Sequence, residues 1–171
     1  MKLRMWLAFY LVAIVSLVCP LSGMAKAKVF SDLSVSQARE QAGKAGKYVI
    51  VDFTASWCGP CHKMEQTTWA NADVEDCVAK NAIAVQVDVD KEKQISTDFN
   101  ISAMPTVVIF RPQDTKAEFD RQVGYQDAKE ILAWFEAAKK GLRSIDAIKE
   151  KFKNIEGKGG SAEVEGRYEL A

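Results

Sequence analysis

The sequence predicts an α/β protein in which a mixed central β-sheet is sandwiched by helices. Residues 48–55, 83–89 and 106–110 are apolar and rich in β-branched residues, as in strands buried on both faces. A turn at residues 111–116 then leads into an edge-type strand at residues 118–123. Strands that first alternate with helices and then pair as a hairpin are typical of a mixed sheet with helices packed against it.

Five stretches between and after these strands are predicted to be helical. They are residues 34–45, 62–68, 73–80, 91–99 and 127–140. Gly46 ends the first of them, and an interruption around Asn71 separates the second from the third. The last stretch presents Ile131, Trp134 and Phe135 on one face, so we expect it to lie against the sheet.

An additional amphipathic helix is predicted at residues 142–156. Ile145, Ile148, Phe152 and Ile155 are spaced by three and four residues among lysines and glutamates. We expect this helix to pack back on the preceding domain, residues 28–141, rather than to dock a partner. Residues 157–171 begin with a run of glycine, lysine and serine and are predicted to be a flexible tail.

The first 27 residues have the pattern of a secretory signal peptide. Lys2 and Arg4 precede an apolar run at residues 6–18, and Ala25 and Ala27 offer small side chains for cleavage. An uncleaved membrane anchor is the alternative. The apolar run of about 13 residues is short against the roughly 20 that span a bilayer, which favours cleavage and export.

Composition narrows the classes of partner. Cleavage after residue 27 would remove three of the 23 basic residues and none of the 23 acidic ones, leaving a net charge of −3. This balance does not indicate a nucleic-acid partner.

Export implies an oxidising compartment in which cysteines tend to pair. Three cysteines would remain after cleavage: Cys58, Cys61 and Cys77. Cys77 lies near apolar helix positions and is predicted to be a packing residue; the alternative is a regulatory or intermolecular thiol.

The stretch Trp57-Cys58-Gly59-Pro60-Cys61-His62 is compatible with two chemistries. Cys-x-x-Cys after a strand indicates a thiol/disulfide centre, whereas Cys-x-x-Cys-His is also a haem attachment pattern. The predicted helix places Cys58 at a helix N-terminus, where unpaired N–H groups and the helix dipole stabilise a thiolate. This favours the redox dithiol over haem. A zinc site would need further ligands that the sequence does not offer.

Four blocks in order make residues 48–140 resemble thioredoxin. They are Asp52-Phe53, the motif from Trp57 to Cys61, Met104-Pro105-Thr106 before a strand, and Gly124 before the last helix of the domain. The resemblance implies the thioredoxin fold and a thiol:disulfide oxidoreductase. Its redox-active group is the Cys58–Cys61 disulfide itself, so no cofactor and no metal are expected.

The resemblance also implies roles for the catalytic residues. Cys58, expected at the exposed end of the motif, attacks a substrate disulfide, and Cys61 resolves the mixed disulfide. Gly59 and Pro60 hold the turn between them. Asp52 matches a buried carboxyl that moves a proton for Cys61 and has a pKa raised by burial; the alternative is an aspartate paired with a lysine.

Substrate binding is implied for four further residues. Pro105 matches a cis-proline that turns the backbone of Met104 towards Cys58, where an extended substrate can pair. Trp57 and Gly124 match positions on the docking surface. His62 stands where a lysine or arginine commonly follows the second cysteine, so it is a candidate for tuning the dithiol.

A second resemblance narrows the implied activity. Lys63-Met64-Glu65, Thr68-Trp69 and Val74 are similar to the C-terminal thioredoxin-like domain of DsbD, the bacterial membrane electron transporter. The implied function is an exported, periplasmic reductase of disulfide-containing proteins that receives electrons from a membrane donor of the DsbD type. The alternatives are an oxidase or isomerase, and a binding module whose dithiol is not essential.

Overall fold

Five strands form a mixed sheet in the computed structural model, which describes residues 27–155. The strands are β1 (Phe30–Ser31), β2 (Tyr48–Thr54), β3 (Ala82–Asp88), β4 (Thr106–Phe110) and β5 (Asp120–Val123). Their order across the sheet is β1-β3-β2-β4-β5. The pairs β1/β3 and β2/β3 are parallel, whereas β2/β4 and β4/β5 are antiparallel. The predicted mixed sheet is confirmed. The predicted tail lies outside the described residues, as does the predicted signal peptide apart from residue 27.

Six α-helices and one π-helical segment accompany the sheet in residues 27–155. They are α1 (Val35–Ala45), α2 (Gly59–Met64), the π-helical segment (Glu65–Trp69), α3 (Ala72–Asn81), α4 (Lys93–Asp98), α5 (Ala128–Lys139) and α6 (Ser144–Ile155). The helix after β2 begins at Gly59, three residues earlier than predicted, because Cys58 serves as its N-cap. Strand β1 was not predicted, since two residues carry no periodicity.

Alternation along β2 divides the core between the two faces of the sheet. Val49, Val51 and Phe53 pack with α1 on one face. Ile50 packs on the other face, where α3, α5 and the π-helical segment cover the sheet. Because side chains alternate along a strand, Asp52 points to this second face together with Ile50. The strand that leads into the cysteine motif therefore carries a carboxyl group into the core.

Capping residues set the helix boundaries that the sequence indicates. Asn71 Oδ1 accepts the backbone N–H of Asp73 at 3.0 Å and of Val74 at 3.4 Å, so α3 starts immediately after the predicted interruption. Asp127 and Glu130 form a reciprocal capping box at the start of α5. Gly46 ends α1 with φ +64, a conformation that disfavours residues with a Cβ.

One carboxyl oxygen joins β5, α5 and α6. Asp120 Oδ2 accepts hydrogen bonds from Trp134 Nε1, from the backbone N–H of Ser144 and from Ser144 Oγ, each at 2.8 Å. Gln122, two residues along the same strand, donates to Ser144 Oγ at 2.6 Å. The first residue of the additional helix is thereby fixed to the edge strand.

The additional helix is present, but three of its large apolar side chains are exposed to solvent. Ile145 is 45% exposed, Ile148 47% and Phe152 63%, and Leu142 just before the helix is 53% exposed. Hydrogen bonds from Ser144 to Asp120 attach the start of the helix to the edge strand of the domain, but this attachment does not bury these four apolar side chains. No helix within residues 27–155 is long and apolar enough to span a bilayer.

Removing the shared acceptor should loosen three elements together. Asp120→Ala leaves the Trp134 and Ser144 donors without their partner, and we expect it to lower the free energy of unfolding by about 2–3 kcal/mol. Asp120→Asn keeps one acceptor oxygen and should lose less. Urea denaturation monitored by circular dichroism measures both, and a loss below about 0.5 kcal/mol in Asp120→Ala would contradict this account.

Candidate active site

The two cysteines of the motif are joined by a disulfide at the start of α2. Cys58 Sγ accepts the backbone N–H of Cys61 at 3.2 Å, and the two Cα atoms are 5.3 Å apart. Pro60 fits the first turn of the helix because N–H groups there have no partner within the helix. The predicted turn from Gly59 to Pro60 thus holds both sulfur atoms at the end of β2.

Cys58 is less exposed than the sequence suggests. It is 4% exposed, against 2% for Cys61. Ala55 belongs to the same buried cluster, and Met104 packs against that cluster from the side. In the disulfide form Cys58 is therefore buried rather than exposed, although its neighbours Trp57 and Gly59 are exposed.

Trp57 presents the largest apolar surface next to the disulfide. Its side chain is 66% exposed, while its Nε1–H donates to Asp90 Oδ2 at 2.8 Å. The backbone N–H of Asp90 donates in turn to Asp88 Oδ1 at 3.0 Å, which holds the loop after β3. The ring is thus fixed at its polar end and free at its apolar face, an arrangement suited to contact with a partner.

The other three predicted substrate-binding residues, Met104, Pro105 and Gly124, are linked to one another. The peptide bond between Met104 and Pro105 is cis, as the resemblance implies. The backbone N–H of Gly124 donates to the Pro105 carbonyl at 2.8 Å, with φ +88 at the glycine. A side chain at this position would strain the backbone. Met104 packs against the buried cluster that contains Cys58 and Cys61, and Gly124 is linked to that segment through Pro105.

Asp52 is buried in the core and is bound to Gln86. Its residue is 2% exposed, and its Oδ2 accepts from Gln86 Nε2 at 3.1 Å. The partner is an amide rather than the lysine of the alternative prediction. Burial raises the pKa of Asp52 from 3.8 to about 7; the hydrogen bond from Gln86 lowers this pKa, and the negative charge of Glu65 raises it. The carboxyl can therefore gain or lose a proton near neutral pH.

Two complementary polar atoms near the carboxyl lack partners among the described residues. Asp52 Oδ1 and Trp69 Nε1 are both buried without a hydrogen bond. The indole N–H of Trp69 has a small lowering influence on the pKa of Asp52, but the two groups are not in hydrogen-bonding geometry. The charged form of Asp52 is consequently held by one donor group alone, which agrees with its raised pKa.

A polar network links Asp52 to the surface and was not predicted. Gln86 Nε2 also donates to Glu65 Oε1 at 2.9 Å. Glu65 Oε2 lies 3.5 Å from His62 Nδ1, and His62 Nε2 lies 2.8 Å from the Ser56 carbonyl oxygen. The sequence signal was a polar Gln86 inside an otherwise apolar strand pattern, at a position paired with Asp52 across β2 and β3.

Cys77 lies on α3, away from the motif. Its side chain is half-buried and packs against the core between the sheet and α5. Burial raises the pKa of its thiol. A thiol in such surroundings is less reactive, as the predicted packing role requires. Among residues 27–155, no group of three or more His, Cys, Asp or Glu is arranged to hold a metal ion.

Residues 35–139 match the family model of the thioredoxin-like domain. The chain belongs to the thioredoxin-like family. The match lies inside the predicted domain of residues 28–141 and contains the cysteine motif, Asp52 and the Met104–Pro105 bond. The predicted family and fold are confirmed: the chain is a thioredoxin-like thiol oxidoreductase, and its Cys58 and Cys61 form a disulfide.

Several thioredoxins are similar to this chain in sequence. A thioredoxin H-type from Oryza sativa subsp. indica is 40% identical over 96 residues, which cover 54% of this chain and 67% of that protein. Thioredoxin H2 from Arabidopsis thaliana is 40% identical over 68 residues, 40% of this chain and 48% of that protein. A thioredoxin from Mycoplasma genitalium is 35% identical over 96 residues, 56% of this chain and 87% of that protein. The chain thus spans about half of one of these relatives and most of another.

Two solved structures share the fold of the thioredoxin-like chain. A structure of a DsbH oxidoreductase has a TM-score of 0.53 at 18% identity, covering 68% of this chain and 87% of the other. A thioredoxin from Thermus thermophilus has a TM-score of 0.52 at 22% identity, covering 57% of this chain and 78% of the other. At these identities the similarity concerns the fold alone.

The buried carboxyl should make stability depend on pH. Its pKa of about 7 exceeds its ordinary 3.8, so between these values the folded state holds a proton that the unfolded chain releases. The contribution of Asp52 to the free energy of unfolding is therefore fully present below about pH 4 and is lost as the pH rises to about 7. Asp52→Asn does not titrate, and its stability relative to wild type should rise across this window by an amount on the order of 4 kcal/mol.

Denaturant unfolding of both proteins at pH 4, 6 and 8 measures this difference. A stability difference that stays constant over the three pH values would contradict the protonation of Asp52 described here.

Proposed function

We propose that this chain is an exported thiol:disulfide oxidoreductase that reduces disulfide-containing proteins. The observation that carries the proposal is the Cys58–Cys61 disulfide at the start of a helix, with Cys58 Sγ accepting the Cys61 N–H at 3.2 Å. The exposed ring of Trp57 precedes Cys58 in the chain, and Met104 packs against the cluster that contains both cysteines. This arrangement offers a reactive sulfur, a resolving sulfur and a surface for a protein partner.

The reaction transfers two electrons from the dithiol to a substrate disulfide. The Cys58 thiolate attacks one substrate sulfur; a Cys58–substrate disulfide forms, and the other substrate sulfur leaves as a thiolate that takes up a proton. Cys61 then gives its proton to the Asp52 carboxylate and attacks Cys58 Sγ. The substrate sulfur bonded to Cys58 leaves as a thiolate that takes up a proton, and the Cys58–Cys61 disulfide forms. The substrate is reduced and the protein is oxidised.

Support for Asp52 as the proton acceptor comes from its position and its pKa. It is buried on β2, the strand that ends at the motif, and its pKa is about 7. A base with a pKa near the working pH can take a proton from a thiol and release it again. A water molecule could carry the proton between the buried carboxyl and the sulfur.

Regeneration requires a source of electrons outside the cytosol. The apolar N-terminal segment after Lys2 and Arg4 supports export, and the stretch from Lys63 to Glu65 resembles the thioredoxin-like domain of DsbD. We therefore place the chain in a bacterial periplasm, where a membrane electron donor of the DsbD type would reduce its disulfide. An uncleaved N-terminal segment would tether the domain at the membrane but leave its chemistry unchanged.

The direction of electron flow is tested by the equilibrium reduction potential of the Cys58–Cys61 pair. Titration of residues 28–171 against defined ratios of reduced and oxidised dithiothreitol gives this potential. We expect a value near that of thioredoxin, about −270 mV. A value near about −120 mV, as for a strong oxidant, would overturn the reductase assignment and favour an oxidase or isomerase.

Single cysteine variants separate the two sulfur roles. Cys58→Ser should abolish reduction of insulin disulfides by dithiothreitol, because the attacking sulfur is lost. Cys61→Ala should keep the attack but lose resolution, so a mixed disulfide with substrate should accumulate and be visible on a non-reducing gel. Cys77→Ser is the matched control and should retain activity. Trapping through Cys61 in a Cys58→Ala variant would contradict the assigned order.

A binding module with a dispensable dithiol is the remaining alternative. Complementation of a reductase-deficient bacterial strain distinguishes the oxidoreductase from the binding module. We expect the double variant Cys58→Ser/Cys61→Ser to fail to complement, whereas the control variant Cys77→Ser should complement. Full complementation by the double variant would favour the binding module.

A further inference from the structure

His62 has hydrogen-bond acceptors on both of its ring nitrogens. Nε2 lies 2.8 Å from the Ser56 carbonyl oxygen, and Nδ1 lies 3.5 Å from Glu65 Oε2. A neutral imidazole has one N–H donor and one lone pair, so it can satisfy only one of these partners. The imidazolium donates from both nitrogens. The surroundings of His62 therefore favour its charged form.

The second carboxylate oxygen of Glu65, Oε1, is linked to Asp52 through the side-chain amide of Gln86. Gln86 Nε2 carries two N–H donors, and it is bonded to Glu65 Oε1 at 2.9 Å and to Asp52 Oδ2 at 3.1 Å. Two carboxyl groups thus share one neutral donor group next to the core. Because like charges repel, a negative charge on Glu65 opposes a negative charge on Asp52.

We propose that His62 is a positioning residue that controls the charge of Asp52 through Glu65. The imidazolium holds Glu65 by its outer oxygen and offsets its negative charge, which lets Asp52 lose its proton more easily. When His62 becomes neutral, the charge of Glu65 is no longer offset and Asp52 holds its proton more tightly. This inference rests on the proposed function, in which Asp52 accepts a proton from Cys61.

Few other charged groups among the described residues bear on this network. The π-helical segment contributes Glu65 and the uncharged Trp69, and β3 contributes the uncharged Gln86. Glu65 is also the charged group that acts on His62, and the pKa of His62 is raised first by the Ser56 carbonyl and then by Glu65. Lys63 lies over the Tyr125 ring, 4.2 Å from its centre, rather than on Glu65.

The pH response of the reaction follows from this coupling. As pH rises, His62 loses its charge, and the uncompensated Glu65 delays the ionisation of Asp52. The two titrations oppose each other, so Asp52 should ionise over a wider pH range than an isolated carboxyl. The step in which Cys61 gives up its proton should show the same broad dependence.

The test measures the titration of Asp52 directly in the oxidised protein, by carbon-13 NMR of its carboxyl group. His62→Gln should bind the Asp52 proton about two- to threefold more tightly than wild type, since the positive charge is gone. His62→Lys keeps a positive charge at the position and should restore the wild-type midpoint. A His62→Gln midpoint equal to that of wild type would overturn the proposal.

Glu65→Gln provides the control for the route. In this background His62→Gln should no longer change the Asp52 midpoint, because the group that transmits the charge is absent. An unchanged effect of His62→Gln in the Glu65→Gln protein would show another route and overturn the role of Glu65. The NMR titration needs no turnover, so its failure is distinct from a failure of disulfide reduction.

A kinetic measurement connects the coupling to the reaction. The acid limb of the pH profile for the resolving step should move to higher pH in His62→Gln and return in His62→Lys. A merely structural role of His62 would lower the rate at every pH without moving the limb.

Discussion

The burial of β2 between two neighbouring strands is the constraint on which the rest of the structure depends. Asp52 pairs with Gln86 of β3 on one side and with Val107 of β4 on the other. Both faces of the strand are covered by helices, so its residues cannot shift by one position without exchanging apolar and polar side chains between the two halves of the core. Because the cysteine motif follows the end of this strand, the strand also fixes the position of the motif.

The same constraint explains the chemistry of the carboxyl. An apolar side chain at position 52 would pack well on the face that holds Ile50, and an aspartate there costs stability whenever it is charged. The strand pairing supplies only the amide of Gln86 as a partner. A buried acid with one uncharged donor keeps a high proton affinity, which is a liability for folding and a useful property for proton transfer.

Much of the architecture could be predicted because its signals are local. The β-branched run of β2, the capping residue Asn71 and the apolar face of α5 each act within a few residues of sequence. The cysteines and the residues around them were found by their motif and by family resemblance. Their burial could not be predicted, because Val89 and Met104, which pack against them, lie far along the chain from the motif.

The polar network escaped prediction for a related reason. Glu65 belongs to the stretch from Lys63 to Glu65 that carries the second resemblance, and Gln86 is a polar residue in a predicted strand. Their contact, however, depends on how the π-helical segment lies over the sheet. A π-helical turn changes the direction of the side chains that follow it, compared with an α-helix. The spacing of apolar residues in the sequence does not predict such a turn. The additional helix shows the opposite case: its periodicity was clear, yet the pattern did not tell what its apolar face contacts.

The attachment of α6 beside β5 also bears on how the sheet meets other molecules. Strands at the edge of a sheet present unpaired backbone groups that can recruit a further strand. Here one edge, β1, is two residues long, and the other, β5, has the start of α6 fixed alongside it by Asp120 and Gln122. Both borders of the sheet are therefore poor templates for edge-to-edge aggregation with other extended chains.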